Sequence, residues 1–474
     1  GTSFFMATLI VMSNPSFSSG FIASFNPSFT SLNCQKLASH SQSHRPPTLS
    51  TARGRSTRRT FPVCSQAGSE KRICIVGGGF GGLYTALNLA KYLEAKGKSK
   101  ETSVTLISDS ERFVYSPFLY ELVTGELQDW EVAPVYTDVL KGTGVKFLQG
   151  KAQSVDKINK TISVDLASLS GGGKQEVSYD KLILATGGNS KDEKEGEPGV
   201  FGFRSLEDAK KLRARLAGLK FANKKPIKIA VVGGGYPGIE LSCSLAANMK
   251  KNVDITIFQR GDKILPRANL YNRIVATQRL AELGVKKFLR TEVVEIKDDS
   301  VSWKQNNGAV AEDKFDIIIR ASSSRPSVLN GLDVQEEDGR IHVNDMLKVK
   351  EEEDLYAVGD IARCIDSSGS PVPSTAQIAM QQAEVAAWNV VADLTGGVPL
   401  TFRRQDLGEM LSLGGYTASL SSKAFGLQLD DKLAHLLRRS VYLIRMPSTD
   451  HKLKVASSWF RRLPDEIEKS LGLR

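Results

Sequence analysis

Two glycine-rich turns are the residues whose types and spacing point most directly to chemistry. Gly77-Gly78-Gly79-Phe80-Gly81-Gly82 follows the apolar run Ile73-Cys74-Ile75-Val76, and Gly233-Gly234-Gly235-Tyr236-Pro237-Gly238 follows Ile229-Ala230-Val231-Val232. In a G-x-G-x-x-G turn between strand and helix, the first glycine permits the tight turn. The second lets the backbone approach a pyrophosphate, and the third lets helix and strand pack closely. Those roles fall to Gly77, Gly79 and Gly82 in one copy and to Gly233, Gly235 and Gly238 in the other. The amides and positive dipole end of the following helix face the phosphates. Either turn alone is also what a bare strand–turn–helix would show. Two complete copies imply two dinucleotides, with electrons passing between them.

Such turns need parallel sheets to hold them. Lys71 to about Gly97 reads as strand, turn and helix, with Ser103-Val104-Thr105-Leu106-Ile107 as the next parallel strand. A β-rich stretch from about 145 to 179 leads to Asp180-Lys181-Leu182-Ile183-Leu184-Ala185-Thr186-Gly187, and the charged run 190–198 reads as a solvated crossover. A second β-α-β core occupies 228–258 and closes at Phe315-Asp316-Ile317-Ile318-Ile319. Leu355-Tyr356-Ala357-Val358-Gly359-Asp360 then returns to the first unit, and a helical pattern covers Thr375 to Leu394. The fold class expected is α/β, with two Rossmann-like dinucleotide-binding domains, one inserted into the other, plus a C-terminal membrane-associating helical segment.

The C-terminal region has a different character. Leu433, Leu436, Leu437 and Val441, with Leu443 and Ile444, read as an apolar helix face accompanied by Arg438, Arg439, Arg445, Lys452, Lys454, Arg461 and Arg462. A basic amphipathic helix with an exposed aromatic such as Trp459 suits a membrane interface. Packing on the domain or on a second subunit suits the same pattern.

The chain has 474 residues and a formal net charge of +11, but the charge is unevenly placed. Residues 1–69 contain Lys36, Arg45, Arg53, Arg55, Arg58 and Arg59 and no Asp or Glu. Without those six the balance is 57 basic against 52 acidic residues, or +5, which does not argue for nucleic acid. A basic, serine-rich, acid-free N-terminus is similar to an organelle transit peptide, with a plastid-like processing step at Val63-Cys64-Ser65 and Met6 as the expected initiator. Cys34, Cys64, Cys74, Cys243 and Cys364 form no CxxC or CxxxxC pair, so a disulfide-reductase or sulfide-oxidising chemistry is excluded and no metal site is visible. No run of about 18 apolar residues is present to span a bilayer as a helix.

Four further segments resemble the type II NAD(P)H:quinone oxidoreductases, most closely their plant plastid members, over about 71–460. Tyr115-Ser116-Pro117-Phe118-Leu119-Tyr120-Glu121 with Gly125 is similar to the family's loop near the flavin. Ala185-Thr186-Gly187 is similar to its ATG crossover, and Ala357-Val358-Gly359-Asp360 with Ala362 to its flavin-closing motif. Ala376-Gln377-Ile378-Ala379-Met380-Gln381 resembles its AQxAxQ quinone segment. The resemblance implies FAD in the first fingerprint, with Thr186 and Gly187 beside it and Asp360 accepting from a ribityl hydroxyl. Asp360 as a plain helix N-cap is the alternative. It implies NADPH or NADH in the second fingerprint as co-substrate, and a prenylated quinone as acceptor. Gln377 and Gln381, on one helix face, would donate to a quinone carbonyl. Glu240 matches a family glutamate at the nicotinamide–quinone junction; a first-turn acid serving the helix dipole is equally consistent.

The departures from the family are specific. Ser108 stands where the ribose-binding acid of the first unit is expected, with Asp109 one residue on. Gln259 stands at the second such position, followed by Arg260, which predicts acceptance of the NADPH 2′-phosphate. Ser323 replaces a glycine in the turn 321–326. The expected boundaries are 1–67 for a disordered transit peptide, 68–198 with 325–395 for a discontinuous FAD-binding domain, 199–324 for the NAD(P)H-binding domain and 396–474 for a membrane- or dimer-associated region. The expected setting is the chloroplast, at plastoglobule or thylakoid surfaces, with mitochondria as a second site and a homodimer as a further expectation. A flavin-dependent ferredoxin-type reductase and a non-catalytic NAD(P)H-binding sensor are the competing functions.

Overall fold

A computed structural model describes residues 70–470 apart from 167–171, 190–198, 223–224, 298, 305–307, 322–324, 333–337 and 367–368. The expectations for the transit peptide, the crossover 190–198 and Ser323 lie outside the described residues.

Short runs of β-branched and aliphatic residues set the frame, because strands buried on both faces of a parallel sheet are apolar throughout. β1 (Lys71–Val76) leads through the first glycine turn into α1 (Phe80–Ala95), which returns to β2 (Thr102–Ser108). The short helix α2 (Leu119–Thr124) precedes β3 (Lys146–Gln149), and β4 (Lys181–Leu184) follows a three-stranded antiparallel sheet formed by 151–156, 161–165 and 174–178. The chain then leaves this sheet. β5 (Val200–Gly202), β6 (Ile227–Val232), α3 (Tyr236–Met249), β7 (Val253–Gln259), α4 (Leu270–Glu282), β8 (Lys286–Leu289) and β9 (Ile317–Arg320) build the second unit. β10 (Leu355–Ala357) returns to the first sheet and α5 (Ala376–Thr395) packs along α1.

The two parallel sheets have corresponding strand orders, β10-β4-β1-β2-β3 and β8-β7-β6-β9-β5. Ile75 of β1 lies between Leu106 of β2 and Ile183 of β4, and Val231 of β6 lies between Ile257 of β7 and Ile319 of β9. In each sheet the chain steps to one side of the glycine strand and later returns on the other. That topological switch point is where α/β sheets bind ligands, outside the carboxyl ends of the strands. Gly188–Asn189 pairs antiparallel with Arg325–Pro326, tying the outgoing and returning chains together.

The C-terminal region is an antiparallel sheet, β11 (Glu409–Ser412), β12 (Ala418–Ser422) and β13 (Leu427–Asp430), followed by α6 (Asp431–Arg445) and α7 (Thr449–Ser470). No described helix is long and apolar enough to cross a membrane. The amphipathic expectation for α6 needs correcting. Arg438, Arg439, His435 and Leu443 form its buried face, Leu437 packs on the cluster of Ala418, Leu420 and Ala434, and Leu433 and Ile444 remain exposed. Trp459 is buried and its neighbour Phe460 is the exposed aromatic. The physical reason is an acid on the inner side: Glu121 of α2 supplies a buried carboxylate that draws both arginines inward.

Candidate functional site

The two glycine turns repeat each other atom for atom at their close contacts. Gly77 has φ +106° and Gly233 φ +123°, conformations that suit glycine. A Cβ on Gly82 would fall 1.8 Å from the Gly77 oxygen and 3.3 Å from the Ala185 Cβ; one on Gly238 would fall 2.0 Å from the Gly233 oxygen and 3.3 Å from the Ala321 Cβ. Helix and strand therefore meet backbone to backbone in both units. By contrast, a Cβ on Gly79 would meet nothing within 4 Å, and on Gly235 only Pro237 Cδ at 4.0 Å. Gly79 and Gly235 occupy the N-cap positions of α1 and α3 without a side-chain cap. Each turn thus presents open space before the first free amides of a helix. A pyrophosphate fits that geometry.

The residues that end each second strand differ in charge from the expected acids. Ser108 is buried, and the Tyr136 hydroxyl covers the same turn by donating to the Gly78 carbonyl at 2.7 Å. Asp109 is exposed. In the second unit the Gly234 N–H donates to Gln259 Oε1 at 2.9 Å, so a neutral amide holds the turn where a carboxylate is expected, with Arg260 exposed beside it.

At the first switch point, Thr186 donates to the Ser327 carbonyl at 2.5 Å and the Gly187 carbonyl accepts from the Ser327 N–H at 3.1 Å. These bonds tie the ATG crossover to the returning chain. Asp360 sits in the short turn Gly359–Ile361, where burial pushes its carboxyl up against the opposing pull of Arg340 and Arg204. The N-cap alternative fails: Val358, not Asp360, occupies the N-cap position of that turn, without a side-chain bond, and Thr375 caps α5 by accepting from the Ile378 N–H at 3.2 Å. The Asp360 carboxylate is therefore available to accept from a hydroxyl-rich ligand. Gln382, buried and absent from the sequence reading, fixes this turn by accepting from the Gly359 N–H at 2.8 Å. Its position next to Gln381 was the one available signal.

The remaining sites divide unequally. Gln377 and Gln381 are half-buried on α5, and Gln381 spends both ends of its amide on the main-chain N–H and C=O of Gln405. Glu240, half-buried on α3, accepts from the Ser412 N–H of β11 at 3.0 Å. Burial pushes its carboxyl up to about 7, opposed by that hydrogen bond and by Arg438 and reinforced by Glu121. Such a carboxyl exchanges a proton near neutral pH. Its near neighbour Glu121 has the reverse outcome: burial would raise it, but Arg439 and Arg438 hold it down at about 2. Glu409 is a second carboxylate that sequence reading missed. It accepts from the Tyr236 hydroxyl at 3.0 Å and from the N–H and side-chain amide of Asn269, both at 2.9 Å, clamping the second fingerprint helix to β11. Cys74, Cys243 and Cys364 are free and buried, and burial pushes their thiols up to about 12, 12 and 11.

Comparisons with known proteins agree with this geometry. Residues 71–383 match the family model described as pyridine nucleotide-disulphide oxidoreductase. The chain is 37% identical to a Synechocystis protein named demethylphylloquinone reductase NdbB, over 83% of this chain and 96% of the relative. It is 34% identical to the Arabidopsis thaliana protein named alternative NAD(P)H-ubiquinone oxidoreductase C1, chloroplastic/mitochondrial, over 82% and 80%. The solved structure of NDH2 from Plasmodium falciparum in complex with NADH superposes with a TM-score of 0.72 at 18% identity, covering 83% of this chain and 98% of that one, a likeness of fold. Paired with the duplicated turns and the Asp360 carboxylate, these matches place the chain in the pyridine nucleotide-disulphide oxidoreductase family, among its type II NAD(P)H:quinone oxidoreductases.

Proposed function

We propose that this protein is a FAD-dependent NAD(P)H:quinone oxidoreductase that reduces a prenylated quinone, either a plastoquinone or a demethylphylloquinone-like naphthoquinone. The observation that carries the reading is the duplicated turn, closed at Gly82 and Gly238 and open at Gly79 and Gly235. Gly77, Gly79 and Gly82, with Asp109, Thr186, Gly187 and Asp360, would hold FAD. Gly233, Gly235, Gly238 and Arg260 would hold the nicotinamide dinucleotide. FAD, when bound, supplies the two-electron chemistry that joins nicotinamide oxidation to quinone reduction. The overall balance is NAD(P)H, one proton and a quinone giving NAD(P)⁺ and a quinol. Glu240 is the residue suited to hold that proton, because burial keeps its carboxyl protonated up to about pH 7 while one oxygen stays anchored on Ser412. Gln377 would donate to the quinone carbonyl, and Gln381 would place the segment around Gln405 beside it.

The finer setting follows the same reading. The exposed Leu433, Ile444, Leu453 and Phe460 on α6 and α7 suit a membrane or lipid-droplet surface from which a prenylated quinone enters. Plastids, with plastoglobules or thylakoids as the surface and mitochondria as a second destination, suit the basic N-terminus; a homodimer is compatible. Purified protein should be yellow, bleach anaerobically with NADPH and recover its colour on adding a quinone. Protein that stays colourless after incubation with FAD would overturn the reading, and faster reduction of a ferredoxin than of a prenylquinone would favour the ferredoxin-type alternative.

A further inference from the structure

The inner face of α6 holds an unusual arginine. Arg438 is fully buried and pairs through Nη2 with Glu121 Oε1, while Arg439 Nη2 reaches Glu121 Oε2 at 2.8 Å. Glu121 therefore has a complete cationic partner without Arg438. Arg439 also lies 3.9 Å from Glu126, whereas Nε and Nη1 of Arg438 have no hydrogen-bond partner. Its guanidinium lies instead against three rings, 5.4 Å from Phe118, 5.7 Å from Tyr120 and 5.4 Å from Tyr442, and the Tyr120 hydroxyl is likewise buried without a partner. A buried arginine with two nitrogens that no protein group satisfies is costly, so packing alone is a poor reason for it.

We propose that Arg438 is a positioning residue of the active site, acting from the C-terminal helix across the α2–α3–α6 interface on the proton of Glu240. This rests on the quinone-reductase reading. α2, which carries Tyr120 and Glu121, packs on α3, which carries Glu240, and Asn248 of α3 donates to Glu126 at 2.6 Å beside α2. Arg438 of α6 and Glu121 of α2 act on the Glu240 carboxyl, and Tyr442 of α6, Tyr120 of α2 and Tyr236 and Cys243 of its own helix feel its charge; from the other elements packed on α3, Glu409 of β11 accepts from the Tyr236 hydroxyl and Arg279 of α4 acts on Cys243. Burial drives the phenol and thiol groups upward, and His435 is held neutral by burial and the two arginines. Arg438 is the cation that acts on Glu240 itself, and its charge favours the ionised carboxylate. Each turnover moves one proton from Glu240 to the reduced quinone and one from solvent back to Glu240; no bond to Arg438 forms or breaks. Seating α6 completes the site electrostatically.

The test uses the full chain, with and without FAD, and follows the protonated carboxyl of Glu240 by infrared titration against Glu240→Gln, together with the pH profile of kcat for quinone reduction. Arg438→Gln should move both midpoints to higher pH by about one unit, and Glu121→Gln should move them to lower pH. The double variant Arg438→Gln/Glu121→Gln should fall between. Unmoved midpoints in a well-folded Arg438→Gln protein would overturn the proposal. Should that variant fail to fold, Arg438→Lys must keep the wild-type midpoint and Glu121→Gln must still shift it downward; an unshifted Glu121→Gln overturns the proposal equally. A wild-type protein that reduces no quinone removes the functional reading, while the infrared midpoints still decide the coupling of Arg438 to Glu240.

Discussion

Gln381 grips both main-chain groups of a single residue: its Nε2–H donates to the Gln405 carbonyl at 3.0 Å and its Oε1 accepts from the Gln405 N–H at 2.9 Å. The extended segment 396–408 has few backbone bonds of its own, so this clamp fixes its course past α5. Gln381→Ala should lower stability by about 1–2 kcal/mol through two lost hydrogen bonds. Gln377→Ala should leave the unfolding temperature unchanged and impair quinone reduction. Equal thermal effects of the two substitutions, read by calorimetry, would contradict this division.

The glycine turns predict a second division. Gly82→Ala places a methyl group 1.8 Å from the Gly77 oxygen, so the backbone must move and folding should fail. Gly79→Ala meets nothing within 4 Å in the protein and should fold, yet fill the space a pyrophosphate takes. Flavin content after purification and far-ultraviolet dichroism separate the two outcomes. A Gly79→Ala protein with full flavin content would refute the placement.

For the nicotinamide site, the relevant residue is Gln259. Because its Oε1 already accepts from the Gly234 N–H, Gln259→Glu keeps that hydrogen bond and puts a negative charge in place of the neutral amide. Repulsion of a 2′-phosphate should cut kcat/KM for NADPH about tenfold relative to NADH. An unchanged ratio of the two would sink the assignment of Arg260 to the phosphate.

The pattern of what could be read from the chain is physical. The strands, both turns and α5 are encoded by neighbours in sequence, and each follows from apolar runs and glycine spacing. The partners that give Gln381, Glu240 and Arg438 their roles lie far along the chain, at Gln405, Ser412 and Glu121. An amphipathic pattern also defines two faces of a helix without saying which turns inward. The basic face of α6 is the inner one because an acid waits there, and Glu121 gives no local sign of it.

Stability should depend on pH through Glu240. Folding raises its carboxyl from 4.5 to about 7, so the folded protein retains a proton that the unfolded chain releases. That preference costs nothing below pH 4.5, grows as pH rises, and levels off above about 7. Glu240→Gln removes it and should stabilise the protein by about 3 kcal/mol at pH 8 while matching wild type near pH 4. Parallel unfolding curves at the two pH values would show that the carboxyl is not held protonated by the fold.

Membrane association is best tested on the outer face of α6 and α7 rather than by removing them. Deleting residues from Asp431 onward would strip Arg438 and Arg439 from Glu121, and an uncompensated buried charge costs about 3–5 kcal/mol. Loss of vesicle binding in such a truncation would report misfolding as readily as anchoring. Leu433, Ile444 and Phe460 are exposed and contribute little to the core, so Leu433→Asp/Ile444→Asp/Phe460→Asp should fold normally. The exposed Lys432, Lys454 and Arg461 favour an anionic surface. Wild-type protein should float with phosphatidylcholine–phosphatidylglycerol vesicles and the triple variant should remain in the dense fraction. Reduction of a short-chain, water-soluble quinone should stay within twofold of wild type, because the substituted side chains face away from Glu121 and Glu240. Flotation of the triple variant together with the vesicles would remove this face as the anchor.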